Sequence, residues 1–189
     1  MNQAISPQEA DCFFNHSELH FRVPVPGDLE TLQNLRNDES TWIHLKDPKP
    51  VGPADQKAWF DSIGWKNGRM YLVVFDARHP FIGLVYMDEL DLQNRSLRIG
   101  LNVVPELRSQ GYGKRIYAAL KAYAFDQLNL HRLWLAALET NEVGIKVYEK
   151  CGFKIEGRYR EAIYRNGKYV DYILMSCLEH EYRREVHGA

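Results

Sequence analysis

Apolar positions along this chain switch between two periods, and the switches mark out its elements. Leu19, Phe21 and Val23 alternate with less apolar neighbours, the period of a strand over Leu19 to Val25. Met1 to Glu18 carries no sustained period and reads as an N-terminal extension. Leu29, Leu32 and Leu35 then recur at helical spacing up to Asn37, behind an Asp28 placed to cap that helix. Asp47 to Pro53 holds three prolines and a glycine and must be loop. Ala54 to Ile63 is the next predicted helix, with Trp59, Phe60 and Ile63 as its buried face. Met70 to Phe75 is apolar throughout, as a strand covered on both faces would be. Asp76 to Pro80 turns the chain into a strand from Phe81 to Leu90, and Asp91 to Arg95 turns it into another that begins at Leu97 and stops at Pro105.

Beyond Pro105, Gly111 and Gly113 lead into a helical pattern with Ile116, Leu120, Ala124 and Leu128 on one face. The apolar run Leu133 to Leu138 follows as a strand that must lie parallel to the one before the helix, completing a βαβ unit. Thr140-Asn141 opens a helix to about Cys151, and Gly152 stands where a C-terminal glycine cap belongs. Lys154 to Tyr164 and Tyr169 to Leu178 are two more strands, joined by Arg165-Asn166-Gly167-Lys168 with its hairpin-forming Asn-Gly. The expectation is one α+β domain over residues 19–182, with a mixed, mainly antiparallel sheet flanked by helices around a central βαβ unit. Residues 1–18 form an extension ahead of it and residues 183–189 a C-terminal tail.

Composition narrows the partners more than the fold. At 189 residues one domain is expected, and a formal net charge of −1 gives no basic surplus for nucleic acid. The chain has no apolar run of 18 residues and no signal peptide, so neither a membrane partner nor export is expected. Cys12, Cys151 and Cys177 form neither a disulfide framework nor a Cys-x-x-Cys site, which makes a reducing cytoplasm the expected compartment. His20, His44 and His131 lack metal-ligand spacing, and no metal is expected. Cys151 lies at a predicted helix C-terminus, where its thiolate is not favoured, so it is not a candidate nucleophile.

Two segments carry chemistry. A glycine-bearing loop feeding a helix N-terminus presents free N–H groups and the positive end of the helix dipole, an anion site suited to a pyrophosphate. It is not a P-loop, because Arg108 stands five residues before Gly113 and Arg115 follows Lys114. Nor is it a dinucleotide fingerprint, since Ile116 stands where a third glycine or alanine is needed. What remains is Arg108-x-x-Gly111-x-Gly113, which on spacing alone also fits a plain strand-to-helix turn. The second segment is Asn141-x-x-Gly144-x-x-Val147-Tyr148, whose Asn141, Gly144 and Tyr148 share a helix face. Either that glycine admits a ligand to the backbone, or Tyr148 is a core tyrosine beside an accidental glycine.

The two segments together, in the order strand, Val104-Pro105, Arg-x-x-Gly-x-Gly, helix, strand, Asn141, Tyr148-Glu149-Lys150-Cys151-Gly152-Phe153, resemble the core of the GNAT family of acetyl-CoA-dependent N-acetyltransferases. Phe153 to Gly157, Tyr164 to Asp171 and Met175 are similar to the ending of its branch containing ribosomal-protein and spermidine/diamine acetyltransferases. The resemblance spans Leu19 to Tyr182 and is loosest over Trp42 to Trp65, an insert somewhat like one in nucleotide-sugar aminoacetyltransferases. It implies acetyl-CoA as co-substrate, with the pantetheine arm in a splay between the strands ending at Val104 and Leu138. Backbone of Asn102, Val103 and Val104 would pair with that arm, and Asn141 would bond it. The pyrophosphate would lie on Arg108, Ser109, Gln110, Gly111, Tyr112, Gly113 and Lys114. An N–H near Val103 would hold the oxyanion, and Tyr148 would protonate the departing thiolate.

The base is less determined. Many relatives carry a glutamate where this chain has Arg98, so Asp88, Glu89 and Asp91 become the candidates, acting through water, with Glu89 the choice among them, although an Asp-Glu-Leu-Asp run beside a turn is more often a solvated strand end. Trp42, Trp59 and Trp65 are either core or walls of an acceptor pocket. The implied activity is acetylation of a primary amine on a small metabolite such as a polyamine or amino sugar. The alternatives are a protein N-terminus as acceptor, or an acyl-CoA-binding sensor without turnover. The C-terminal hairpin is the candidate homodimer surface.

Overall fold

The structure, a computed structural model, describes residues 12–188. Eight strands form one sheet in the order β1-β2-β3-β4-β5-β6-β8-β7. They are β1 Phe14–His16, β2 Leu19–Arg22, β3 Arg69–Phe75, β4 Gly83–Asp91, β5 Ser96–Val103, β6 Arg132–Leu138, β7 Lys154–Arg165 and β8 Lys168–Leu178. Neighbours run antiparallel except β5 and β6, the expected parallel pair. The helices are α1 Leu29–Asn37, the single turn α2 Glu39–Trp42, α3 Pro53–Asp61, α4 Tyr112–Ala122, α5 Glu142–Lys150 and α6 Glu179–His187.

Alternation decides which side of the sheet is core. Val85 and Met87 of β4, Leu97 and Ile99 of β5, and Leu133 and Leu135 of β6 are buried in one cluster. Ile116, Tyr117 and Leu120 of α4 cover them, so that the predicted apolar stripe of this helix is its packing face. Past Ala122 the helix widens into a π turn, Tyr123–Gln127, before the chain enters β6. On β3, Leu72 to Phe75 are all buried, as expected for a strand covered on both faces. At the β7–β8 turn Asn166 and Gly167 both have positive φ, 49° and 81°, which a two-residue hairpin of this hand requires.

Four local expectations need correction. Phe14–His16 is a strand, so the domain begins inside the segment read as an extension; Phe14 stacks on Phe21 at 4.2 Å and on Tyr123 at 4.8 Å, and three residues are too few to show a period. Residues 1–11 of that segment lie outside the described residues. Asp28 makes no side-chain cap to α1. Its buried carboxylate instead receives two hydrogen bonds from Arg22, at 2.7 and 2.8 Å, and one from the Val25 N–H. In α3 the buried side chain is Gln56, while Trp59, Phe60 and Ile63 are only half-buried, because the helix packs on α1 at one edge of the fold. Finally, α6 runs through residue 182, so residues 183–187 continue a helix and are not a separate tail.

Candidate active site

β5 and β6 pair only at Ser96↔Arg132, Leu97↔Leu133 and Arg98↔Trp134, and then separate. A cleft of about 580 Å³ opens beyond this point, between Leu101, Asn102 and Val103 of β5, the loop after it, and α5. The backbone alternation of β5 sorts the residues expected to pair with a ligand. Val104 N–H donates to Ile82 O at 3.0 Å, so Val104 is committed to the β4 side and does not line the cleft. Val103 must therefore turn its N–H and C=O toward the splay, where its carbonyl accepts from Arg108 Nε at 3.0 Å.

The glycine loop divides in the same way. Ser109, Gly111, Gly113 and Lys114 line the cleft, whereas Gln110 turns back to the Glu106 carbonyl, 2.7 Å away. Gly111 has φ of 82°, a left-handed value that puts a glycine there for backbone reasons. Gly113 has no such constraint, and an added Cβ would meet only Val147 Cγ1 at an ordinary 3.6 Å, which leaves its bare face toward the cleft. The N–H groups of Tyr112, Gly113 and Lys114 belong to the first turn of α4 and have no intrahelical acceptors. Among the described residues no acidic side chain lines this cleft, while Arg108, Lys114 and Lys150 do.

Two loop side chains do not point where the pyrophosphate was expected. Tyr112 is buried, its hydroxyl donating to Asp76 Oδ2 at 2.8 Å and lying 2.9 Å from His79 Nδ1. Arg108 reaches across to α2, with Nη1 donating to Ser40 Oγ at 2.7 Å and to the Ser40 carbonyl at 3.1 Å, and Nη2 donating to Thr41 Oγ1 at 2.6 Å. Its guanidinium ties the loop to the turn that leads into the insert.

A second cavity, of about 460 Å³, lies beside the cleft. The insert supplies one wall through His44, Leu45, Lys46, Asp47, Gln56 and Trp59, and Leu84, Tyr86 and Asp88 of β4 supply the floor. Trp59 thus walls the cavity, and Trp65 packs against the core. Period two on β4 puts Asp88 on the face of Leu84 and Tyr86. Glu89, at φ 52° in a bulge, stands outside, exposed and accepting from Arg98 at 3.0 Å. The preferred base candidate is thus turned away from the cavity. Burial raises the Asp88 carboxyl above its ordinary range against the opposing pull of Arg98, 3.5 Å away and directly across the strands. Asp88 Oδ1 is buried with no hydrogen-bond partner among the described residues. Gly100 exists for Tyr86, whose ring lies within 1.8 Å of where a Cβ would stand.

Cavity and cleft meet at His44, Leu101, Asn102, Asn141 and Tyr148. Tyr148 packs edge-on against Tyr117 at 5.5 Å, and burial raises its hydroxyl above the ordinary phenol value, partly offset by the Tyr117 hydroxyl. It is an acid that keeps its proton at neutral pH. Asn141 Oδ1 accepts from the Gly144 N–H at 3.1 Å and caps α5. A Cβ on Gly144 would come within 2.5 Å of the Asn141 amide, so this glycine makes room for the cap and not for direct ligand approach. Burial raises the Cys151 and Cys177 thiols, the latter to about 11, which leaves both protonated. Sequence reading weighs His44 only as a metal ligand, since no local signal marks it for another role, and sets Asp88 behind Glu89, although the period of β4 is a usable signal for it.

Residues 18–154 match the family model described as an acetyltransferase (GNAT) domain. Spermidine N(1)-acetyltransferase of Escherichia coli K12 is 32% identical over 159 residues, 84% of each chain. The putative ribosomal N-acetyltransferase YdaF of Bacillus subtilis 168 is 33% identical over 182 residues, 90% of this chain and 96% of that one. Among solved structures, spermidine N-acetyltransferase from Vibrio cholerae in complex with CoA and spermine superposes with a TM-score of 0.82 at 28% identity, covering 88% of this chain and 99% of that one.

Proposed function

The chain belongs to the GNAT acetyltransferase family and is an acetyl-CoA-dependent N-acetyltransferase, and from that premise we propose that it acetylates a small primary amine of the polyamine class. The observation that carries this reading is the meeting of two cavities at Tyr148. The cleft, cationic at its glycine-loop end, suits the co-substrate's pyrophosphate. The cavity is lined by Asp47, Asp55 and Asp88 beside Arg36, Lys46 and Arg98, and its carboxylates can receive the ammonium groups of an acceptor.

The thioester carbonyl then falls at the junction, where the Val103 N–H is oriented to stabilise the oxyanion of the tetrahedral adduct. The amine nitrogen forms its bond to the carbonyl carbon, the C–S bond breaks, and Tyr148 gives its proton to the thiolate. A thiol with a solution pKa of about 8.5 needs that donor to leave readily at neutral pH. The proton lost from nitrogen as the adduct collapses restores Tyr148. Polyamine recognition is supported by the two spermidine acetyltransferases described above. No helix among the described residues is long and apolar enough to cross a membrane.

A second reading of the acceptor has its own observation. Arg36 lines the same cavity, and its Nη1 is buried without a hydrogen-bond partner among the described residues. An acceptor carrying an anionic group as well as its amine would satisfy it. Thiol release from acetyl-CoA across a panel of polyamines, amino sugars, amino acids and N-terminal peptides tests both readings. Turnover on polyamines alone supports the first, turnover on amino acids the second, and no thiol release with any amine sinks the enzymatic assignment.

A further inference from the structure

We infer that His44 is the base that takes a proton from the acceptor's ammonium, and that Arg108 is the positioning residue that holds it at the junction. This rests on the reading of the two cavities given above. An amine of pKa about 10.4 is ionised at pH 7, freeing it costs roughly 4–5 kcal/mol, and a group at the site must carry the proton away as the nitrogen attacks. The accepting group must stand within reach of the nitrogen as it meets the thioester, directly or through one water. Of the five residues shared by cavity and cleft, His44 and Tyr148 are the two with side chains suited to proton transfer, and Tyr148 is needed protonated. Asp88 lines the cavity but not the cleft, and Glu89 lines neither.

His44 reaches this place by a chain of contacts that begins in the glycine loop. Its backbone N–H donates to the Thr41 carbonyl at 3.2 Å. Thr41 is buried, and its hydroxyl accepts from Arg108, which also binds both Ser40 oxygens and, through Nε, the Val103 carbonyl. One guanidinium therefore joins the strand that presents the oxyanion donor to the turn that presents the imidazole. Burial and the Arg108 charge both lower the His44 pKa, so the ring is neutral at pH 7 and has a lone pair to offer. In the step itself the ammonium proton passes to the imidazole and on to solvent. The free amine forms the C–N bond, and the second nitrogen proton leaves as the adduct collapses.

The test compares acceptors of one skeleton that differ in basicity, an alkylamine and the corresponding hydrazide, whose terminal NH₂ is already unprotonated at pH 7. For His44→Gln, kcat/KM should fall about 10²- to 10⁴-fold with the alkylamine and by less than tenfold with the hydrazide. Arg108→Met should show the same selective loss in smaller degree. Equal losses on both acceptors would make His44 a structural or binding residue, and no loss on either would remove it from the reaction. Selective hydrazide rescue of Asp88→Asn or Glu89→Gln in place of His44→Gln would move the role to that carboxylate. A wild-type protein that releases no thiol with either acceptor would fail the acetyltransferase reading instead, so the two failures are distinguishable. His44 is exposed and makes no hydrogen bond through its ring among the described contacts, so His44→Gln is expected to fold; unchanged CoA affinity by calorimetry checks it.

Discussion

Replacing Tyr148 with Phe removes one hydroxyl from the point where cavity and cleft meet and leaves the ring in its edge-on contact with Tyr117. If that hydroxyl protonates the leaving thiolate, turnover should fall about 10²- to 10⁴-fold, which corresponds to about 3–5 kcal/mol of lost transition-state stabilisation. The structural cost is much smaller. The Tyr117 hydroxyl beside it has no hydrogen-bond partner among the described residues, so the loss is at most the roughly 1 kcal/mol of an ordinary hydrogen bond, a Tm change of no more than about 2–4 °C for a chain of this size. Because burial holds the folded-state pKa above the ordinary phenol value, the wild-type hydroxyl keeps its proton through the neutral range, and the Tyr148→Phe deficit should be constant from pH 6 to 9. Steady-state kinetics should show the loss in kcat, with acetyl-CoA affinity by calorimetry nearly unchanged. An aryl thioester, whose thiol leaves without protonation, should recover most of the rate. Full kcat in a variant with lowered Tm, or an equal deficit with the aryl thioester, would refute the role and leave Tyr148 a packing residue.

Gly113→Asp should weaken acetyl-CoA binding at least tenfold by calorimetry while Tm holds, because its Cβ meets nothing tighter than 3.6 Å within the protein and the added carboxylate faces the cleft. Gly111→Ala should instead lower Tm as well, since it imposes a side chain on a φ of 82°. Lys121→Met should cost about 1–3 kcal/mol in urea unfolding, because the buried ammonium donates to the Cys151 carbonyl at the end of α5 and pairs with Glu185. Tyr159, Tyr164 and Tyr169 stand 56–63% exposed on the C-terminal hairpin, and we propose that they meet a second copy of this chain. Changing all three to Ser should shift sedimentation toward the monomer, and an unchanged profile would discard the hairpin as the contact.

What was legible in the sequence was whatever a short window contains. The apolar run of β3, the parallel pairing of β5 with β6 across the α4 crossover, and the Asn166-Gly167 hairpin each rest on residues within one element or its neighbour. Asp28 was misread because a cap and a buried ion pair demand the same residue type. Which of the two forms depends on Arg22, six residues earlier on β2, and its bidentate approach outcompetes the helix N–H groups. The face of α3 was misread because a helix at the edge of the fold need bury only one row, and Gln56 rather than an aromatic occupies it.

The functional site divides along the same line, between what is local and what only the fold assembles. Gly111, Gly113, Asn141 and Tyr148 announce themselves because backbone geometry and helical spacing are local constraints. The acceptor side is built from residues whose meeting no spacing encodes: Arg108 binds Ser40 and Thr41, 68 and 67 positions earlier. Nothing about the sequence around His44 marks it as more than a loop histidine until that tether brings it to the lining of the two cavities that Tyr148 also lines. The same tether gives the arrangement a physical consequence. The side chain that a phosphate-loop reading assigns to the co-substrate is spent on holding α2, the turn that leads into the insert, so the pyrophosphate must rely on backbone N–H groups of α4 and on Lys114 and Lys150. Closure of the acceptor wall and formation of the co-substrate cleft then share one guanidinium, and loosening either should be felt at the other.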